Sequence, residues 1–218
     1  MKRAARIALI SGSGFVTLAA LWVYAPAWRR LDAAGLRWVH ARTPDGLLPW
    51  AEALTHAGSL PVTIPIAVAL AGVLWRRAHR PAAIVWGAGF LGGQIAVLGL
   101  KLIFNRTRPY APDLLMQNFS FPSGHAFTAV VVYGALLYGG WIQWSANWSR
   151  GLLALATGLL ILATGWSRLV LRVHYPTDVV GGYLLGIAWL ALLWMALHRW
   201  GAVGPEKLTV GSPEQTML

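Results

Sequence analysis

Apolar residues in this chain come in long blocks, and charge is confined to the gaps between them. Uncharged stretches run 7–28, 53–75, 81–100, 114–149, 151–167 and 179–198. A helix needs about 20 apolar residues to cross a bilayer. The pattern therefore predicts an all-α, polytopic membrane protein, a bundle of six transmembrane helices. The stretch 114–149 is too long for one crossing, so a loop precedes its helix, placed at 122–141. The shortest, 151–167, extends through 169–171 with Arg168 turned inward.

Between the first two spans, residues 29–52 are mixed. Leu31, Leu36, Trp38 and Val39 alternate with Arg29, Arg30, Asp32 and Arg37. Either an amphipathic helix lying on the membrane surface or an ordinary polar loop fits this pattern. Residues 1–202 read as one domain, and 203–218 as a polar, disordered tail. Lys2, Arg3 and Arg6 before an apolar run resemble a signal peptide, with Ala25-Pro-Ala27 as a cleavage site. That run is longer than a typical signal core of about 7–15 residues, so a retained first helix is expected.

Composition narrows the class. Of 218 residues, 57% are hydrophobic and only 11% charged, less than half the usual soluble share of about 25%. Cysteine is absent, which excludes disulfides and Cys-based zinc sites. The net charge of +11 has no soluble basic module to carry it, so a nucleic-acid partner is not expected. Topogenic Lys and Arg, with attraction to anionic lipid, account for it. The 13 tryptophans fit interfacial belts.

In such a chain, charge at the span ends marks function. Lys101 to Pro109, Pro122-Ser-Gly-His125 and Ser167 to Asp178 each fall at one end of an apolar run. An up-and-down bundle puts them all on one face. Apart from this cluster, Lys and Arg favour the other face, which holds Lys2, Arg3, Arg6, Arg76, Arg77, Arg80, Arg150, Arg199 and Lys207. Only Arg29, Arg30, Arg37 and Arg42 oppose them. A cytoplasmic N-terminus and an outward-facing site follow as the expected topology in the cell membrane.

Pro122-Ser-Gly-His reads as a helix start, with Pro122 in the first turn and Ser120 as N-cap. Ser123 and Gly124 then offer backbone N–H groups to an anion, although a plain helix cap has the same signature. His174-Tyr-Pro-Thr-Asp178 reads as a second start. Pro176 keeps Tyr175 extended, and Asp178 falls in the first turn. A carboxylate there can hold one imidazole nitrogen and leave the other free to attack, with histidine as nucleophile. A structural His–Asp pair is the alternative. Lys101, Arg108 and Arg168 form a candidate phosphate cage. Arg106 and Arg172 fit snorkelling to lipid headgroups better. His125 is the candidate general acid. His125, His174 and Asp178 could in principle bind zinc, but three neighbouring cations repel a divalent ion. No metal or other cofactor is expected.

These three segments resemble the type 2 phosphatidic acid phosphatase (PAP2) superfamily of integral-membrane lipid phosphatases. Its pattern is Lys-x6-Arg-Pro, Pro-Ser-Gly-His and Ser-Arg-x5-His-x3-Asp. The chain matches at Lys101, Arg108, Pro109, Pro122, Ser123, Gly124, His125, Ser167, Arg168, His174 and Asp178. The resemblance implies a phosphatase core built from the third to sixth spans. It also implies a metal-free phosphohistidine on His174, oriented by Asp178. His125 would protonate the leaving group and then activate water. Lys101, Arg108, Ser123, Gly124 and Arg168 would hold the phosphate, with Ser167 capping or supporting Arg168.

The expected substrate is a membrane lipid phosphate, with undecaprenyl diphosphate favoured. Phosphatidylglycerophosphate and phosphatidic acid are alternatives, as is a lipid A 1-phosphatase or phosphotransferase. The motifs leave the oligomeric state unread. Vanadium haloperoxidases share the family's pocket but are largely soluble. An anion carrier would place its site near the midplane, often in repeated halves, and no repeat is present.

Overall fold

A computed structural model describes residues 1–77, 80–110, 119–143 and 147–199, with side chains outside 139–143. The predicted tail, 203–218, lies outside the described residues. Within them the chain forms α1 (Lys2–Tyr24), α2 (Pro26–Arg42), α3 (Leu48–Thr55), α4 (Leu60–Arg76), α5 (Arg80–Phe104), α6 (Gly124–Gln143), α7 (Asn147–Val170) and α8 (Pro176–Arg199). Short 3-10 turns at Asp45–Leu47 and His56–Gly58 flank α3. Five stretches are long and apolar enough to cross a membrane: Lys2–Tyr24, Asp45–Arg76, Arg80–Phe104, Asn147–Val170 and Pro176–Arg199. A shorter apolar helix, Gly124–Tyr138, completes the set.

That shorter helix is the hub. Ala126, Phe127, Ala129, Val131 and Val132 of α6 are fully buried, and α6 touches α4, α5, α7 and α8. Large apolar side chains on the surrounding helices point outward, among them Ile10, Ile95, Ile103 and Leu162. Lipid is the solvent that such a surface suits, because helices satisfy their own backbone groups.

Close helix contact is made with small residues. A Cβ on Gly182 would lie 2.5 Å from the Ser123 carbonyl oxygen and 2.9 Å from Ala126 Cβ. One on Gly186 would lie 2.8 Å from Val130 Cβ. This Gly-x3-Gly spacing puts one smooth face of α8 against α6. Their N-termini meet there, and the Ser123 N–H donates to the Asp178 carbonyl at 2.9 Å.

Most of residues 29–52 is helical rather than an ordinary loop, with a break at Thr43 and Pro44 between α2 and the 3-10 turn before α3. Pro26 opens α2 at a position where its missing N–H costs nothing. Asp32 and Leu36 face inward while Leu31 and Trp38 stay exposed. α2 packs on α1, α7 and α8, and α3 packs on α7.

Several boundaries differ from expectation. α5 continues to Phe104, so Lys101 lies in its last turn. Asn105 follows at φ 46, the left-handed conformation that asparagine tolerates. α6 begins at Gly124, after a cis Phe121–Pro122 peptide. Pro122 is therefore outside the first turn, and Ser123 rather than Ser120 precedes the helix. α7 stops at Val170. Arg172 takes φ 58, its N–H bonding Leu169 O at 3.0 Å and Val173 N–H bonding Arg168 O at 3.2 Å. This is a Schellman C-cap, and it puts Arg172 outside the helix that carries Arg168.

Candidate active site

The helix ends bring the three motifs to one end of the bundle. His174 lies in the short connection between α7 and α8 and is fully buried. Its Nδ1 is 3.3 Å from Asp178 Oδ2. The same carboxylate oxygen accepts the Tyr175 N–H at 2.8 Å, so Asp178 caps its own helix from the first turn. The other ring nitrogen, Nε2, lies 3.4 Å from Arg108 Nη1, a guanidinium that also donates to Val173 O at 3.0 Å. A carboxylate therefore sits on one side of the imidazole and a cation on the other.

Arg168 extends from the last turn of α7 and donates to the Thr55 hydroxyl of α3. Its Nε is buried with no acceptor among the described residues. A buried donor left unmade is costly, so this group suits an anion arriving in the site. Lys101 Nζ donates to Phe119 O. His125, second residue of α6, lies within electrostatic range of Arg168, His174, Arg108 and Lys101. Among the described residues, no group of three or more His, Asp or Glu converges as a metal site requires.

Electrostatics favour a neutral imidazole on His174. Burial pushes the proton affinity of His174 well below its ordinary value, and Arg108, Arg168 and Lys101 add to the effect. An unprotonated imidazole keeps its lone pair for attack.

Three expectations need correction. Ser123 N–H is taken by Asp178, so it does not face a phosphate. The amides of Gly124 and His125, at the first two positions of α6, remain the helix-start donors. The Ser123 hydroxyl approaches Ala126 N at 3.5 Å. Ser167 donates to Thr164 O at 2.6 Å, so it bonds its own helix and not Arg168. Arg106 does not snorkel. It is 5% exposed and forms ion pairs with Asp178, at 2.7 Å, and with Asp32. Arg172 is exposed, as expected, but donates to His40 Nδ1 at 2.8 Å.

Asp32 and Thr177 complete the missed set. Thr177 N–H donates to Asp32 Oδ1 at 3.0 Å, and its hydroxyl accepts from Arg106 at 2.7 Å. One signal in the sequence could have found them. With only 7 acidic residues in a chain of 218, an aspartate next to membrane spans calls for a partner.

Fold and site together define a membrane-embedded lipid phosphatase. The chain belongs to the PAP2 superfamily, whose profile matches residues 88–202. A decaprenylphosphoryl-5-phosphoribose phosphatase of Mycolicibacterium smegmatis is 36% identical over 63% of this chain and 72% of its own. Phosphatidylglycerophosphatase B of Bacillus subtilis is 31% identical over 64% and 71%. A putative undecaprenyl-diphosphatase of Escherichia coli is 30% identical over 72% and 84%. Among solved structures, a transmembrane PAP2-type phosphatidylglycerolphosphate phosphatase from Bacillus subtilis superposes with a TM-score of 0.76. It covers 91% of this chain and 98% of its own at 24% identity, a likeness of fold.

Proposed function

We propose that the protein removes phosphate from a polyprenyl lipid, with undecaprenyl diphosphate the favoured substrate, through a phosphohistidine and without a metal. The placement of His174 between Asp178 and Arg108 carries this reading. Nε2 attacks phosphorus while the P–O bond to the lipid breaks. Asp178, on Nδ1–H, stabilises the imidazolium that forms. Arg108, Arg168 and Lys101 meet the charge on the transferring phosphoryl oxygens. His125 gives its proton to the departing oxygen, then takes one from the water that cleaves the P–N bond and frees inorganic phosphate. A protonated His125 beside three cations is tolerable only once a dianionic phosphate lies among them, so substrate and acid proton arrive together.

The polyprenyl choice is supported by the relatives named for decaprenyl and undecaprenyl lipids. Phosphatidylglycerophosphate is the second reading, favoured by the Bacillus subtilis relative. The charge bias along the chain supports a cytoplasmic N-terminus and a site at the outer face. Residues 1–202 act as one domain in this reading.

Phosphate release by the full chain in detergent micelles tests it, with EDTA present and both lipids side by side. Release that survives EDTA and vanishes in His174→Ala is expected, with the polyprenyl lipid faster. Loss of release in EDTA, restored by a divalent ion, would overturn the metal-free mechanism.

A further inference from the structure

Both oxygens of Asp178 are committed. Oδ2 faces His174 and the Tyr175 N–H, while Oδ1 accepts from Arg106 at 2.7 Å. Arg106 is clamped from behind by Asp32 of α2, and the Asp32 side chain is fully buried. Thr177 stitches the pair together, with its N–H and hydroxyl donating to Asp32 and its oxygen accepting from Arg106. The guanidinium lies over the Tyr175 ring at 4.1 Å and the Trp22 ring at 5.1 Å. Two carboxylates, a hydroxyl and two aromatic rings thus surround it, and it is buried.

Such a buried ion-pair chain is a poor device for stability alone. Desolvating the charges costs about as much as their attraction returns, and apolar residues of equal volume often do as well. What this chain supplies is aim. Arg106 on one carboxylate oxygen of Asp178 holds the plane of the group, so that the other oxygen stays turned to the imidazole.

We propose that Arg106 and Asp32 are positioning residues for phosphoryl transfer, Arg106 fixing the Asp178 carboxylate against His174 and Asp32 fixing Arg106. The proposal rests on the phosphohistidine reading above. Asp32 also moderates the pull of Arg106. A guanidinium shared between two carboxylates draws less on Asp178 than an unshared one, leaving Asp178 free to balance the charge on His174. Arg106 is two residues before Arg108, so adjacent cations of one loop divide the work. Arg108 faces the reacting nitrogen and Arg106 faces the carboxylate behind it.

The test is steady-state and single-turnover phosphate release by the full chain in micelles, for Asp32→Asn, Arg106→Lys and Asp178→Asn, with His174→Ala as blank. By analogy with outer-shell partners of metal ligands, Asp32→Asn and Arg106→Lys should each lower kcat about 10- to 100-fold. KM should stay within about twofold, because neither residue meets the phosphate. Asp32→Glu, which keeps the charge, should recover part of kcat. In an Asp178→Asn background, Arg106→Lys should cost less than about twofold, since its route of action is already cut. Equal losses in both backgrounds would overturn the proposal, as would unchanged kcat in Arg106→Lys and Asp32→Asn while His174→Ala is dead. Release that persists in His174→Ala would overturn the underlying mechanism and this proposal with it.

Discussion

His174 Nε2 and Arg108 Nη1 stand 3.4 Å apart, at the edge of hydrogen-bond range and without an ion pair between them. On the proposed mechanism, this cation receives the phosphoryl group that the nitrogen attacks, besides donating to Val173 O. Replacing Arg108 by alanine should lower kcat by about 10²–10³-fold, the usual loss when one preorganised transition-state donor is removed. Arg108→Lys should recover only part of it, because an ammonium cannot present a planar fork. Initial-rate kinetics on both variants would check this.

The same neighbourhood sets the pH response. Burial, followed by Arg108, Arg168 and Lys101, depresses the proton affinity of His174. On the proposed mechanism the attacking nitrogen is free above the His174 pKa, which lies below the ordinary value of about 6.5. The acid limb of kcat/KM should therefore fall below pH 6.5. Removing one cation, as in Arg108→Ala, should move the limb upward. An acid limb that moved down in that variant would contradict the assignment.

Asp178→Asn should leave the helix start intact but lose the charge that, on the proposed mechanism, orients and balances His174. A fall in kcat of up to about 10⁴-fold is expected, as when the orienting aspartate of a catalytic triad is neutralised. Burst measurements of phosphoenzyme should show that its formation slows.

Gly182→Ala tests the α6–α8 contact. The added methyl would meet the Ser123 carbonyl oxygen at 2.5 Å, and backbone cannot give way as a side-chain tip can. Overpacking of this kind costs about 1–3 kcal/mol. A lower melting temperature in micelles should accompany reduced activity, because Ser123 and Asp178 are hydrogen-bonded across the same contact.

The apolar blocks made the spans legible, because a helix in lipid has little choice but to be apolar and long. The fixed spacing of the three motifs made Lys101, Arg108, Arg168, His125, His174 and Asp178 legible, and the structure brings them to one end. Local chemistry around the helix starts was less readable. Pro122 looked like a first-turn proline, yet the Ser123 N–H is drawn to the Asp178 carbonyl and the helix waits until Gly124. Arg106 was misread for a different reason. Two arginines two residues apart look alike in sequence, and what separates them is a carboxylate on α2 brought in only by the fold. The mixed pattern of 29–52 told of a surface helix or a loop. It was silent on Asp32 pointing inward.

Asp32 also lies outside residues 88–202, the part that the superfamily profile recognises. A chimera that keeps residues 88–202 and exchanges the helices before them would test how far the two parts are separable. Here the seam would cut through the wiring of the site. A donor segment would need to bring its own carboxylate to the height of Arg106, or the recipient half would inherit an arginine paired with Asp178 alone.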